Sequence, residues 1–188
     1  MAKPEPRIAE APAKQVSPPP PPRLPLNMDK KLAEIIPGQV EKSKISIHII
    51  KSAFRLTLVY DGQEVKDYRV VFGGDPVNDK RRKGDKRTPE GLFSIRSQYP
   101  HPSWSRFMWL TYPTAESWQK HNAAKANSEI SASAGIGGEI GIHGVPTGQD
   151  AWVDGGVNWT AGCISLKTAD IKELYEVTQA GTSVVIDH

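Results

Sequence analysis

The only cysteine of the chain, Cys163, and a histidine followed directly by glycine, His143-Gly144, lie in one stretch, residues 142–166, IHGVPTGQDAWVDGGVNWTAGCISL. A thiol beside an imidazole is equipped for acyl transfer. The imidazole takes the thiol proton, the sulfur attacks a carbonyl, and backbone N–H groups hold the oxyanion. Residues 140–142 read as a short strand that places His143 at its end, and Gly144 lets the chain turn or a substrate approach. Cys163 follows Gly162 and is expected in a loop just before a helix beginning at Thr168, with the Gly162 and Cys163 amides open to an oxyanion. The residues between His143 and Gly162 are numerous enough to return the thiol beside the imidazole, although spacing alone leaves that open. Thr160 is a candidate for orienting His143 or a substrate oxygen, and equally for a loop hydroxyl bonded to its own backbone. The plainer alternative for the pair is a buried small cysteine and a satisfied histidine.

Other elements must position this stretch. Ile45, Ile47 and Ile49, then Phe54, Leu56, Leu58 and Tyr60, then Tyr68, Val70 and Phe72 alternate with other residues, the period of half-buried strands. Asp61-Gly62 signals a hairpin, so residues 45–72 read as an antiparallel meander, with His48 on its surface. Lys80, Arg81, Arg82, Lys83, Lys86 and Arg87 crowd one loop, read either as a solvated run or as cations along a groove that attract carboxylates. All five tryptophans fall between 104 and 159, making residues 98–138 a candidate substrate wall, or a hydrophobic roof in the case of Trp109 and Trp118. The segment SASAGIGG, 131–138, reads as a mobile flap. Ile171, Leu174, Tyr175 and Thr178 mark one face of a closing helix with Thr168 as N-cap, whose positive end would favour thiolate at Cys163.

Nine of the sixteen prolines precede residue 26 and no aromatic residue precedes 44, so residues 1–43 read as a proline-rich extended linker, with a short amphipathic helix over 28–36 packed on the domain edge. The 188 residues leave room for one domain beyond it. Mean hydropathy is −0.46 and no apolar run approaches the ~20 residues that span a bilayer. The net charge of +3 suits an anionic polymer, and the basic run lacks the interleaved aromatics of a nucleic-acid surface. No metal-ligand spacing is visible, so neither a metal nor a cofactor is expected. No leader pattern is legible at the amino terminus.

With His143-Gly144 followed by Thr160-Ala161-Gly162-Cys163-Ile164-Ser165-Leu166, the chain resembles the L,D-transpeptidase (YkuD-like) catalytic domain, whose signature is HG, a loop, then S/T-x-G-C-x-x-L/M. Three further segments agree. Gly84-Asp85 with Thr88-Pro89-Glu90-Gly91-Leu92-Phe93 looks like its GD...TPEG-x-F segment, Leu110-Thr111-Tyr112-Pro113 like L-S-Y-P, and Gly181-Thr182-Ser183-Val184-Val185-Ile186 like its closing G-T-x-V-x-I strand. The resemblance runs over residues 44–187 and implies a mainly β sandwich with short helices, with residues 44–188 as the catalytic domain. It implies acyl transfer by Cys163 and His143, helped by Gly162, Gly144 and Thr160, on the tetrapeptide stems of peptidoglycan, with another stem or a wall-attached protein as acceptor. Trp159, Ser165, Tyr112 and Arg87 are the candidate substrate contacts.

It further implies a monomer that carbapenems acylate, a part in cell shape, and a place in the periplasm or cell wall, with Met1 standing where a leader was removed. The family orients its histidine through a backbone carbonyl, which ranks Asp154 low as the orienting group. Two departures matter: Ala161 stands where many members have histidine and Ser165 where they have arginine, which questions the usual anchoring of a stem carboxylate. The alternatives are an L,D-carboxypeptidase or a hydrolase releasing wall-linked protein, and a non-catalytic wall-binding module. A papain-like protease would place cysteine before histidine, contrary to the order here.

Overall fold

The computed structural model describes residues 23–188, so the polyproline reading of the residues before 23 lies outside it. Helix α1 (Leu32–Ile35) is a single turn, shorter than the sequence pattern, because Pro37 ends it and only Leu32 and Ile36 reach the core. The segment before the first strand is tied to the body. Leu32 N–H donates to Glu173 at 2.6 Å, and Asp67 accepts from Leu26 N–H and from the Arg23 guanidinium.

β1 (Ile45–Ile50) and β2 (Arg55–Tyr60) pair antiparallel with Ile47 opposite Leu58 and Ile49 opposite Leu56, which buries both rows. Asp61 and Gly62 have φ of 50° and 78°, the two left-handed residues a tight hairpin requires, and β3 (Gln63–Arg69) follows. The 11-residue β4 (Gly91–His101) serves two neighbours. Gly91 to Ser94 pair with the last strand, and after a register break the remainder pairs with β5 (Ser105–Leu110). Helix α2 (Ala115–Ala126) intervenes, capped by Thr114, before β6 (Gly141–Gly144), the one-turn α3 (Ala151–Asp154) and β7 (Ile164–Leu166). Helix α4 (Thr168–Val177) buries Ile171, Leu174 and Val177, and β8 (Ser183–Asp187) returns between β1 and β4.

The strand order is β3-β2-β1-β8-β4-β5-β6-β7, and the two ends of this sheet meet. Just past β3, Val71 exchanges both backbone hydrogen bonds with Ser165 of β7, at 3.0 and 2.8 Å. The sheet therefore curls on itself around one core drawn from both halves, the mainly β architecture with short helices expected from the sequence. No helix among the described residues is long and apolar enough to cross a membrane.

Candidate active site

β6 and β7 run parallel, with His143 in register with Ser165. Cys163 directly precedes β7, so the parallel pairing brings the end of the loop that carries the thiol alongside β6.

The imidazole is almost fully buried. It stacks on Trp104 (4.4 Å between centroids, 22°) and on Phe107 (5.3 Å, 11°), and meets Trp159 edge-on at 5.4 Å. Nδ1 lies 2.8 Å from the Gly144 carbonyl. A carbonyl only accepts, so Nδ1 carries the proton and Nε2 is left as the base. Burial holds the imidazole down to about 4, with the Gly144 bond opposing. Gly144 cannot take a side chain, since a Cβ there would stand 2.6 Å from the Trp104 carbonyl oxygen. The Cys163 thiol is partly buried and 3.4 Å from the Glu139 carbonyl. Desolvation pushes it up to about 11, against a backbone hydrogen bond and the positive charge of Lys80.

Thr160 and Thr88 shape the loop that presents the thiol. Thr160 Oγ1 donates to the Cys163 carbonyl at 2.7 Å and accepts the Gly162 N–H at 3.1 Å, so its hydroxyl is bonded to its own loop. This corrects one expectation: the Gly162 amide is engaged, and only the Cys163 amide has no acceptor among the described residues. Gly162 sits at φ 136°, and a Cβ there would come within 2.6 Å of the Arg87 carbonyl oxygen. Thr88 Oγ1 donates to the Gly162 carbonyl at 2.9 Å, a contact across 74 residues. The TPEG segment is thus part of the nucleophile loop's seat, a role its local sequence did not reveal.

The other sequence candidates are dispersed. Arg87 is ion-paired with Asp75 at 2.7 Å, Arg81 with Asp79 at 2.6 Å, and the buried Lys80 with Asp85 at 2.8 Å, so acidic neighbours compensate much of the basic loop. Tyr112 is buried, its hydroxyl donating to the Ile136 carbonyl. Trp159 packs against His143 and Trp152. Ser165 is completely buried, and its Oγ has no partner among the described residues. Asp154 pairs with Lys167 at 2.6 Å. The expected flap is tied down by Ile136 in the core and by Lys83 N–H donating to the Gly135 carbonyl at 2.7 Å. The α4 amino terminus is occupied too: Asp150, and not Thr168, supplies the capping oxygen, 2.7 Å from Thr168 N. Among the described residues no cluster of three or more His, Cys, Asp or Glu is placed to hold a metal ion.

The family model of the L,D-transpeptidase catalytic domain, YkuD, matches residues 44–186. No curated protein matches the chain. Similar solved structures include Bd1075 of Bdellovibrio bacteriovorus, with a TM-score of 0.54 at 18% identity over 76% of this chain and 47% of that one. The helical cell shape determining protein Pgp2 of Campylobacter jejuni gives 0.53 at 22% over 82% and 53%. L,D-transpeptidase 3 of Mycobacterium tuberculosis, solved with a faropenem-derived adduct, gives 0.51 at 15% over 77% and 60%. At these identities the likeness is one of fold. The chain spans about half the length of the first two.

Proposed function

Because the chain belongs to the L,D-transpeptidase (YkuD) catalytic domain family, we propose that it is a cysteine acyltransferase acting on peptidoglycan stem peptides in the periplasm or cell wall. The observations that support this reading are the parallel pairing of β6 with β7, which brings His143 beside the strand that directly follows Cys163, and the Gly144 carbonyl 2.8 Å from Nδ1, which leaves Nε2 as base.

In the first step Nε2 of His143 takes the thiol proton as Sγ of Cys163 attacks the carbonyl on the L-centre of diaminopimelate in a tetrapeptide stem. The Cys163 N–H donates to the oxyanion. Collapse breaks the C–N bond, D-alanine leaves with the proton from His143, and a thioester remains. In the second step Nε2 takes a proton from an acceptor amine, on another stem or a wall-attached protein, and the amine attacks the thioester. A new amide forms, and the thiolate recovers the proton from His143. Thr160 and Thr88 tie down the loop that carries Sγ and the Cys163 amide.

Water in place of the amine would make the protein an L,D-carboxypeptidase, or a hydrolase releasing wall-linked protein. Ser165, buried where many members carry arginine, keeps that outcome in the test. The experiment is intact mass after incubation with tetrapeptide stems and, separately, with a carbapenem, comparing the parent with Cys163→Ala. A Cys163-dependent adduct with release of D-alanine is expected. New cross-links then indicate transfer, and tripeptide alone indicates hydrolysis. Stem binding with neither adduct nor D-alanine in the parent would leave a non-catalytic wall-binding module.

A further inference from the structure

Beyond His143, the β4–β5 turn, the chain after β6 and the start of α4 line an open pocket of about 540 Å³ whose polar lining is His101, Ser105, Arg106, Thr147, Thr168 and Lys172. Its charge is one-sided. No Asp or Glu lines it, and neither Arg106 nor Lys172 makes an ion pair among the described residues. The basic loop has Asp75, Asp79 and Asp85 among its cations, and the larger cavity beside Arg55 and Arg69 includes Asp154 and Asp170 in its wall.

Its arginine is held in place. Arg106 Nη1 donates to the Ser105 carbonyl at 3.0 Å and the guanidinium lies 5.1 Å over the Tyr175 ring, which holds the group flat against α4. Arg106 Nε and Ser105 Oγ are both buried without a partner among the described residues. Ser105 adopts φ 63°, a left-handed conformation unusual for a residue with a side chain, and such strain collects at functional sites. His101 Nδ1 lies 3.2 and 3.1 Å from the N–H groups of Ser103 and Trp104 and accepts from them. The proton of its neutral ring therefore sits on Nε2, a further donor.

The cavity also connects to the chemistry. His101 stacks on Trp104 at 4.4 Å and 9°, and Trp104 stacks on His143 at 4.4 Å. Val145, in the cavity wall, lies two residues beyond His143, and the β6–β7 register puts Cys163 about level with Gly141, so the cavity is roughly 13 Å along the strand from the thiol. A carboxylate on a long side branch about two residues from the scissile carbonyl spans roughly that distance.

We propose that Arg106, Lys172, Ser105 and His101 form a carboxylate-binding subsite that anchors an acidic side branch of the peptide whose carbonyl Cys163 attacks. The proposal rests on the acyl-transfer reading, and it supplies an anchor in a chain that carries Ser165 in place of the expected arginine and pairs Arg87 with Asp75.

The test is an NMR titration of the inactive Cys163→Ala protein with a soluble tetrapeptide stem and with the same peptide amidated at its side-chain carboxylates. The free-acid peptide is expected to shift the amides of Ser105, Arg106, Thr147 and Lys172, and to bind at least about tenfold more tightly than the amidated one, the worth of a charge-assisted hydrogen bond. Salt should narrow that difference. Arg106→Gln and, separately, the exposed Lys172→Gln should each remove most of the preference while the thermal midpoint stays within a few degrees. Equal affinity for both peptides in the parent, or an unchanged preference in both variants, overturns the subsite. Acylation is followed in parallel in proteins retaining Cys163. D-alanine release with no carboxylate preference sinks the anchor and leaves acyl transfer standing. Carboxylate-selective binding without D-alanine release sinks acyl transfer and leaves the anchor.

Discussion

At rest the Cys163–His143 pair is neutral. Burial pushes the thiol up to about 11 and the imidazole down to about 4. Both shifts disfavour the charged forms, so a thiolate–imidazolium pair lies uphill of the neutral one. In the proposed reaction the proton would move as sulfur attacks, unlike cysteine enzymes whose ion pair exists beforehand. Two outcomes follow for the pH dependence. Alkylation of Cys163 by iodoacetamide should climb steadily from pH 7 toward 10, and a rate already flat at pH 6 would show a preformed thiolate. The acid limb of kcat/KM should fall near pH 4 and not near 6.5, because His143 accepts a proton only while its Nε2 is free. The same histidine favours unfolding in acid: between about 6.5 and 4 the unfolded imidazole takes a proton that the folded one refuses, so stability declines as pH drops through that window. Substituting His143→Ala should cut D-alanine release by about 10² to 10⁴. Alkylation at pH 9 should hardly change, and a comparable loss in both assays would mean that the histidine only supports the loop. Gly162→Ala meets both a left-handed φ and the Arg87 carbonyl, so it should lower activity and stability together.

The elements differ in how openly the sequence declares them. The β1–β2–β3 meander was legible because its apolar residues alternate and Asp61-Gly62 admits one kind of turn. Helix α4 was legible from Ile171 and Leu174, but its cap was not, because Asp150 comes from 18 residues upstream. Helix α2 escaped notice because it has almost no apolar stripe, burying Ser117, His121 and Ala124. Its signal was the capping box at Thr114 and Ser117, which is weaker than periodicity. The Cys163 loop was legible as a motif, whereas its seat on Thr88 was not, since a contact across 74 residues leaves no local trace. The Asp150 cap can be tested at this scale. Asp150→Ala should cost about 1 kcal/mol in urea unfolding, the usual worth of a side-chain cap, and Asp150→Asn should recover most of it. Equal losses for both variants would assign the effect to the carboxylate's charge on the helix dipole.

For the molecule as a whole, the recognised family core and the folded unit do not coincide. The matched region starts at residue 44, yet Leu32 and Ile36 lie in the core and Leu32 N–H meets Glu173, which also receives Lys66 at 2.5 Å and Tyr68 at 2.8 Å. The pattern of Leu32, Ile35 and Ile36 pointed to a helix packed on the domain edge, whereas the bond to Glu173, 141 residues away, left no local trace. A chain beginning at Lys44 should therefore unfold at lower urea than the parent, by at least the 2–3 kcal/mol or so that burying one leucine side chain contributes. Part of that difference should depend on pH. Burial alone would raise the Glu173 carboxyl, but the bonds from Leu32, Lys66 and Tyr68 outweigh it and hold the group below its ordinary value. A lowered carboxylate stabilises the fold above the unfolded value near 4.3 and loses that contribution as pH falls through the folded one. The gap between parent and shortened chain should accordingly be wider at pH 7 than at pH 3.5. An equal gap at both would mean that apolar packing of Leu32 and Ile36 holds the segment and the Leu32–Glu173 bond adds nothing. No gap at either would return residues 23–43 to the status of a linker that touches the domain without supporting it.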